Sequence, residues 1–187
     1  GSDYEDLEKA KVLAPRHYRS REQAVTPTDF EDIAVLTEGI IKAKCIETFT
    51  STKVYLYVLG EDYVEPTEAL CKLVKGRVDA NRVGNVDLEV LPCIISKFNA
   101  KFTIYVHDKF DKVSVQEAVN SNVREAFSIE NFDFGRECYA NKMIDIAFNT
   151  AGVKNVVIDN LVTQDITNVG SYEILQLDNV TVEIGGA

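Results

Sequence analysis

A short pattern that occurs twice constrains this chain more than any other feature. Asp32-Ile33-Ala34-Val35-Leu36-Thr37-Glu38-Gly39-Ile40 returns as Asp145-Ile146-Ala147-Phe148-Asn149-Thr150-Ala151-Gly152-Val153, an offset of 145 − 32 = 113 residues, with Asp, Ile, Ala, Thr and Gly identical in register. In each copy an apolar helical stretch runs into a glycine, the residue that most easily takes the left-handed conformation at a helix end, and an apolar strand follows. The same helix stop and strand start used twice implies two related lobes.

The first copy has a well-marked beginning. Thr26 stands as an N-cap, Pro27 fits the first helical position where no N–H is needed, and Asp29 stands three residues after the cap, where a carboxylate can answer free N–H groups. Beyond Gly39, Ile41, Ala43 and Cys45 alternate with Lys42 and Lys44 as a half-buried strand. Thr50 to Lys53 reads as a turn, and Val54 to Leu59 as a strand apolar on both faces. Pro66 then opens a helix with a stripe of Leu70, Leu73, Val74 and Val78, Gly84 closes it, and Val86, Leu88 and Val90 form a third strand before Pro92.

In the second half, Phe102, Ile104 and Val106 alternate with polar neighbours as a strand. Ser114 and Glu117 have capping-box spacing ahead of a stripe of Val115, Ala118, Val119, Val123, Ala126 and Phe127. The second copy follows a loop at Asn131 to Glu137, with Tyr139, Met143, Ile146 and Ala147 on one helix face. Strands are predicted from Val153 to Ile158, Tyr172 to Leu177 and Val180 to Ile184, the last two joined by a hairpin turn at Asp178-Asn179. The expected fold class is α+β: two small related lobes, residues 26–93 and 94–187, each a mixed or antiparallel sheet with helices packed on one face. Residues 1–25 are a lead-in, a short amphipathic helix over 3–12 and then, after Pro15, a basic arm Arg16-His17-Tyr18-Arg19-Ser20-Arg21. Gly1-Ser2 reads as a cloning remnant, and the chain as a piece of something longer.

Composition narrows the function. The 187 residues are 45% hydrophobic, enough for a sizeable core, and 20 Lys and Arg against 30 Asp and Glu leave a net charge of −10 that repels nucleic acid and anionic membrane. The longest apolar runs are of strand length, too short to span a bilayer as a helix. Neither His17 nor His107 has a partner at metal-ligand spacing, and Cys45, Cys71, Cys93 and Cys138 form no C-x-x-C pair, so they read as buried reduced thiols. No nucleophile-elbow, phosphate-loop, dinucleotide or zinc-protease motif occurs. The residues therefore point to no enzyme and to no metal or cofactor. The arm is the candidate interface: Arg16, Tyr18, Arg19 and Arg21 place basic and aromatic side chains, types enriched where proteins meet, on an acidic chain.

The order of these features resembles the C-terminal region of phage baseplate J-like proteins, wedge subunits of contractile tails and related injection machines. The residues that carry the resemblance are Lys9-Ala10-Lys11-Val12-Leu13-Ala14-Pro15, then Arg19-Ser20-Arg21-Glu22-Gln23-Ala24-Val25-Thr26-Pro27-Thr28-Asp29-Phe30-Glu31, then Gly39-Ile40-Ile41-Lys42-Ala43-Lys44. Gln23 departs from the family pattern, which commonly has Arg there. The resemblance implies a structural assembly protein of a tail baseplate or tail-like particle, made in the bacterial cytoplasm. Its implied partners are other wedge subunits and copies of itself, with no catalysis, nucleic acid, membrane or small-molecule ligand. A second reading, a small-molecule-binding regulatory module of paired α+β lobes, predicts instead a cleft between the lobes with convergent polar groups.

Overall fold

The computed structural model describes residues 23–48, 52–84, 86–159 and 162–186. The expected lead-in helix and the arm lie outside these residues. The chain divides between Ile94 and Ile95 into two compact units. Among the described residues each unit holds a three-stranded sheet and two α-helices.

The first unit opens with α1 (Pro27–Val35), started as its sequence requires. Asp29 N–H donates to Thr26 Oγ1 at 3.3 Å while Thr26 N–H donates to Asp29 Oδ2 at 2.8 Å, so two helix-end donors are satisfied reciprocally. Thr26→Ala should cost about 1 kcal/mol. The check is a lower urea midpoint at unchanged slope, and a midpoint that does not move would show that the cap contributes nothing.

From α1 the chain enters β1 (Ile40–Glu47), antiparallel to β2 (Lys53–Gly60), then α2 (Glu68–Asn81), and returns as β3 (Asp87–Pro92), parallel to β2, giving the order β1-β2-β3. Phe30, Ile33 and Ala34 of α1 and Cys71, Val74 and Val78 of α2 are buried in one cluster with Cys45, Val54, Leu56, Val58 and Leu88 of the sheet. Two sequence expectations change here. The cap of α2 is Thr67, whose Oγ1 accepts from Leu70 N–H at 3.3 Å, so Pro66 precedes the helix rather than opening it. Leu73 is 65% exposed, and its expected place in the stripe belongs to Cys71. The face is centred on Val74, and apolarity alone could not choose between neighbours on either side of it.

The second unit runs β4 (Ile94–Val106), α3 (Lys112–Ala126), α4 (Ala140–Phe148), β5 (Val153–Ile158) and β6 (Glu173–Ile184), with sheet order β5-β4-β6. β5 is antiparallel to β4. Ser96 bonds Glu173, Lys101 pairs with Glu183, and Gly185 N–H donates to the Ile104 carbonyl; these links advance together along both strands, so β6 runs parallel to β4. β4 starts well before the predicted Phe102, and Phe98, Ala100, Phe102 and Ile104 are buried at every second position. The hairpin at Asp178-Asn179 does not form: β6 passes straight through both residues. Pairing along the whole of a long central strand outweighs the local turn preference, and Asp178 and Asn179 instead meet Lys97 at 3.5 Å and Arg124 at 3.5 Å. The α3 cap is Asp111, not Ser114; Ser114 donates to the Asp111 carboxylate through its N–H and its hydroxyl, both at 2.8 Å. Those two bonds hold the Asp111 carboxyl below its usual pKa. Tyr139, expected on the buried helix face, is 46% exposed at the helix start.

The two copies of the repeated pattern form the same structure. Leu36, Thr37 and Ile40 N–H donate to the Asp32, Ala34 and Thr37 carbonyls; Asn149, Thr150 and Val153 do the same to Asp145, Ala147 and Thr150. Gly39 has φ +90 and Gly152 φ +95, the left-handed region a side chain would strain. A bulge follows at once in both strands, between Ile40 and Lys42 and between Val153 and Asn155. The ends of the two central strands match as well: Glu61 N–H donates to the Gly39 carbonyl and His107 N–H to that of Gly152, each at 2.9 Å. Cys93 N–H donates to Val58 O as Gly185 N–H does to Ile104 O. So β1 corresponds to β5, β2 to β4 and β3 to β6, with α1 matching α4 and α2 matching α3. The path differs: the first unit reads α1-β1-β2-α2-β3 and the second β4-α3-α4-β5-β6.

Candidate functional site

Arg16, Tyr18, Arg19 and Arg21, the predicted interface, lie outside the described residues, as does His17. His107 sits at the end of β4, held by its backbone bond to Gly152. Among the described residues no group of three His, Cys, Asp or Glu side chains is placed to hold a metal ion. No described helix is long and apolar enough to cross a membrane, which leaves strand-built barrels unaddressed.

The four cysteines are free and buried. Burial pushes the Cys45 thiol up to about 12 and those of Cys93 and Cys138 to about 11, and raises that of Cys71. A thiol that stays neutral when folded but ionises from 9.0 when unfolded contributes stability that is present below pH 9 and lost as pH rises through 11 to 12. The urea midpoint should therefore fall between pH 8.5 and pH 10.5, and Cys45→Val should flatten part of that fall. Identical pH profiles for the variant and the parent chain would remove Cys45 from the explanation.

One open cleft of about 680 Å³ lies within the second unit, between the end of α3 and the start of α4. Its floor is the pair Phe127 and Phe132, ring centroids 5.9 Å apart. The Arg136 guanidinium stands 5.8 Å from the Phe132 ring and the Lys142 ammonium 5.9 Å from the Phe127 ring. Arg136 also donates to the Asn131 carbonyl, and the Tyr139 hydroxyl to the Glu137 carboxylate, which raises the phenol pKa. Cations stacked on aromatics beside an anchored carboxylate suit contact with a protein surface. The sequence marked Phe132 only as loop; its pairing with Phe127 across a short 3₁₀ turn was not visible in either segment alone.

The sheet edges carry a second set of polar contacts. Glu31 of α1 reaches past β1, where its Oε1 accepts from Cys45 N–H at 2.9 Å and pairs with Lys44 at 3.2 Å. Lys75 of α2 donates to the Leu88 carbonyl of β3, and Gln116 of α3 to the Val182 carbonyl of β6. Helix side chains thus occupy backbone groups on three of the four outer strands found among the described residues, which discourages pairing with another chain.

The sequence matches no known protein-family description. It matches no curated protein sequence either. The fold is similar to that of a chain in the cryo-EM structure of the anti-feeding prophage (AFP) baseplate, 6-fold symmetrised, with a TM-score of 0.68 at 8% sequence identity. The likeness covers 92% of this chain and 41% of that one, so the chain spans well under half the length of its structural neighbour.

Proposed function

We propose that this chain is part of a structural subunit of a contractile-tail baseplate, in a phage tail or a tail-derived injection device, acting through contacts with other baseplate subunits and copies of itself and carrying no catalytic step. The observation that carries the reading is a fold shared over 92% of the chain with a chain of a prophage baseplate. The finer assignment, to the wedge proteins of the J-like family, is supported by the Ala24-Val25-Thr26-Pro27-Thr28-Asp29-Phe30-Glu31 stretch, whose Thr26 and Asp29 form the capping box that starts α1. Two units, each built on a related three-stranded sheet and holding buried neutral thiols, are what an assembly part requires. Arg16, Tyr18, Arg19 and Arg21 then steer docking against an acidic neighbour, while apolar contacts supply most of the affinity, since exposed ion pairs contribute little singly.

The experiment is to express the full-length protein with the genes beside it and look for it in purified tail-like particles by mass spectrometry and electron microscopy. Particles that assemble normally without this protein would reject the reading. Replacing Arg16, Arg19 and Arg21 with Ser should reduce assembled baseplates and weaken the salt dependence of assembly. Unchanged yield and salt dependence would leave the arm as a linker and the subunit assignment standing.

A further inference from the structure

β1 and β5 are equivalent outer strands, but among the described residues only β1 has its free edge blocked. Asp159 N–H donates to the Lys101 carbonyl, so Asp159 faces β4 and alternate residues Ile158 and Val156 direct their N–H and C=O groups away from the sheet. Their counterparts at the 113-residue offset are Cys45 and Ala43, and Cys45 N–H is the group that Glu31 occupies. At the same offset Glu31 corresponds to Ile144 and Lys44 to Val157. The ion pair that closes the edge of β1 is therefore replaced on β5 by two apolar side chains. Among the described residues nothing bonds the outward groups of Val156 and Ile158.

The surroundings of this edge suit an occupant. Val157 is 48% exposed, and Phe148 on α4, the helix packed against β5, is 51% exposed. Lys154 is the one charged residue of β5, exposed and, among the described residues, in no ion pair, on a chain whose net charge is −10. We propose that the edge of β5 is a docking site for an extended segment of a partner protein, which adds to the sheet as a fourth strand. Outward backbone groups supply its hydrogen bonds, Ile144, Phe148 and Val157 receive its apolar side chains, and Lys154 selects an acidic residue near its end. A second copy of this chain fits less well, because β5 itself holds no carboxylate and the nearest, Asp159, already pairs with Lys101 at 3.8 Å. The proposal rests on strand geometry and holds whether or not the chain serves in a baseplate.

The test is amide hydrogen exchange by NMR on the isotope-labelled chain, with an N-acetylated hexapeptide of alternating valine and glutamate as the probe. In the free chain the Val156 and Ile158 amides should exchange quickly and that of Cys45 slowly. Saturating peptide should slow Val156 and Ile158 on the order of tenfold. A valine–lysine peptide should not. The double variant I144E/V157K, which rebuilds the blocking pair of the first unit, should abolish the slowing while Cys45 protection and the melting temperature persist. The proposal is overturned by no slowing with the glutamate peptide, by equal slowing with both peptides, or by slowing that survives in the double variant. It is equally overturned by protection that grows with protein concentration in the absence of peptide, which would place a second copy on the edge.

Discussion

Gly152→Ala destabilises the protein by about 2–5 kcal/mol, the sum of about 1–2 for a left-handed residue with a side chain and about 1–3 for overpacking. The added Cβ would lie 2.7 Å from Val115 Cγ2 and 2.8 Å from the Phe110 ring, at φ +95. Two other glycines separate the two causes. Gly84 has φ +101 with nothing within 4 Å, so Gly84→Ala carries the backbone part alone. At Gly39, φ +90, the nearest atom is the mobile Cδ2 of Leu70 at 3.2 Å, so Gly39→Ala falls between them. Urea midpoints should rank Gly84→Ala mildest and Gly152→Ala most severe. Equal losses at all three would mean that backbone strain is the whole effect.

Phe102→Ala costs about 3–5 kcal/mol, through lost burial and the cavity left behind. Phe102 is fully buried on the central strand of its sheet, and Leu56 holds the equivalent place in the first unit, also fully buried. Leu56→Ala should cost about 2–5 kcal/mol by the same mechanism. Either loss is a large part of the roughly 5–15 kcal/mol that holds a typical domain folded. Phe102→Leu, which keeps most of the volume, should recover most of the stability. A Phe102→Ala chain that unfolds within 1 kcal/mol of the parent would show that the second core repacks freely.

The elements legible in the sequence were those decided locally. Thr26, Pro27 and Asp29 act within one turn, so their pattern and their geometry agree. The repeated helix–glycine–strand unit was equally local, and its hydrogen bonds match one for one. A spacing rule alone misplaced the start of α3: the Ser114 and Glu117 spacing selects Ser114 as the cap, but the Asp111 carboxylate three residues earlier takes the role and Ser114 donates to it. Asp178-Asn179 shows the opposite failure, since a sound turn signal yields to pairing with a strand far away in the chain. The cleft and the β5 edge were invisible for the same reason, because each is assembled from segments that tertiary structure brings together. One trace was available: extending the repeat by a single residue toward the N-terminus sets Glu31 against Ile144, a charge against an aliphatic side chain at the same structural position.

The rearranged path of the second unit bears on how the chain reaches its native state. In the first unit the outer strand meets the central one through a hairpin, with Cys45 opposite Leu56, 56 − 45 = 11 residues away. In the second, Ile104 meets Val156, 156 − 104 = 52 residues away, with two helices formed in between. The same sheet therefore requires a far longer loop to close, and closing distant contacts slows folding. During synthesis the first sheet is completed before β5 has been made, whereas β4 waits, a long and largely apolar strand with both edges bare, until the chain has passed Gly152.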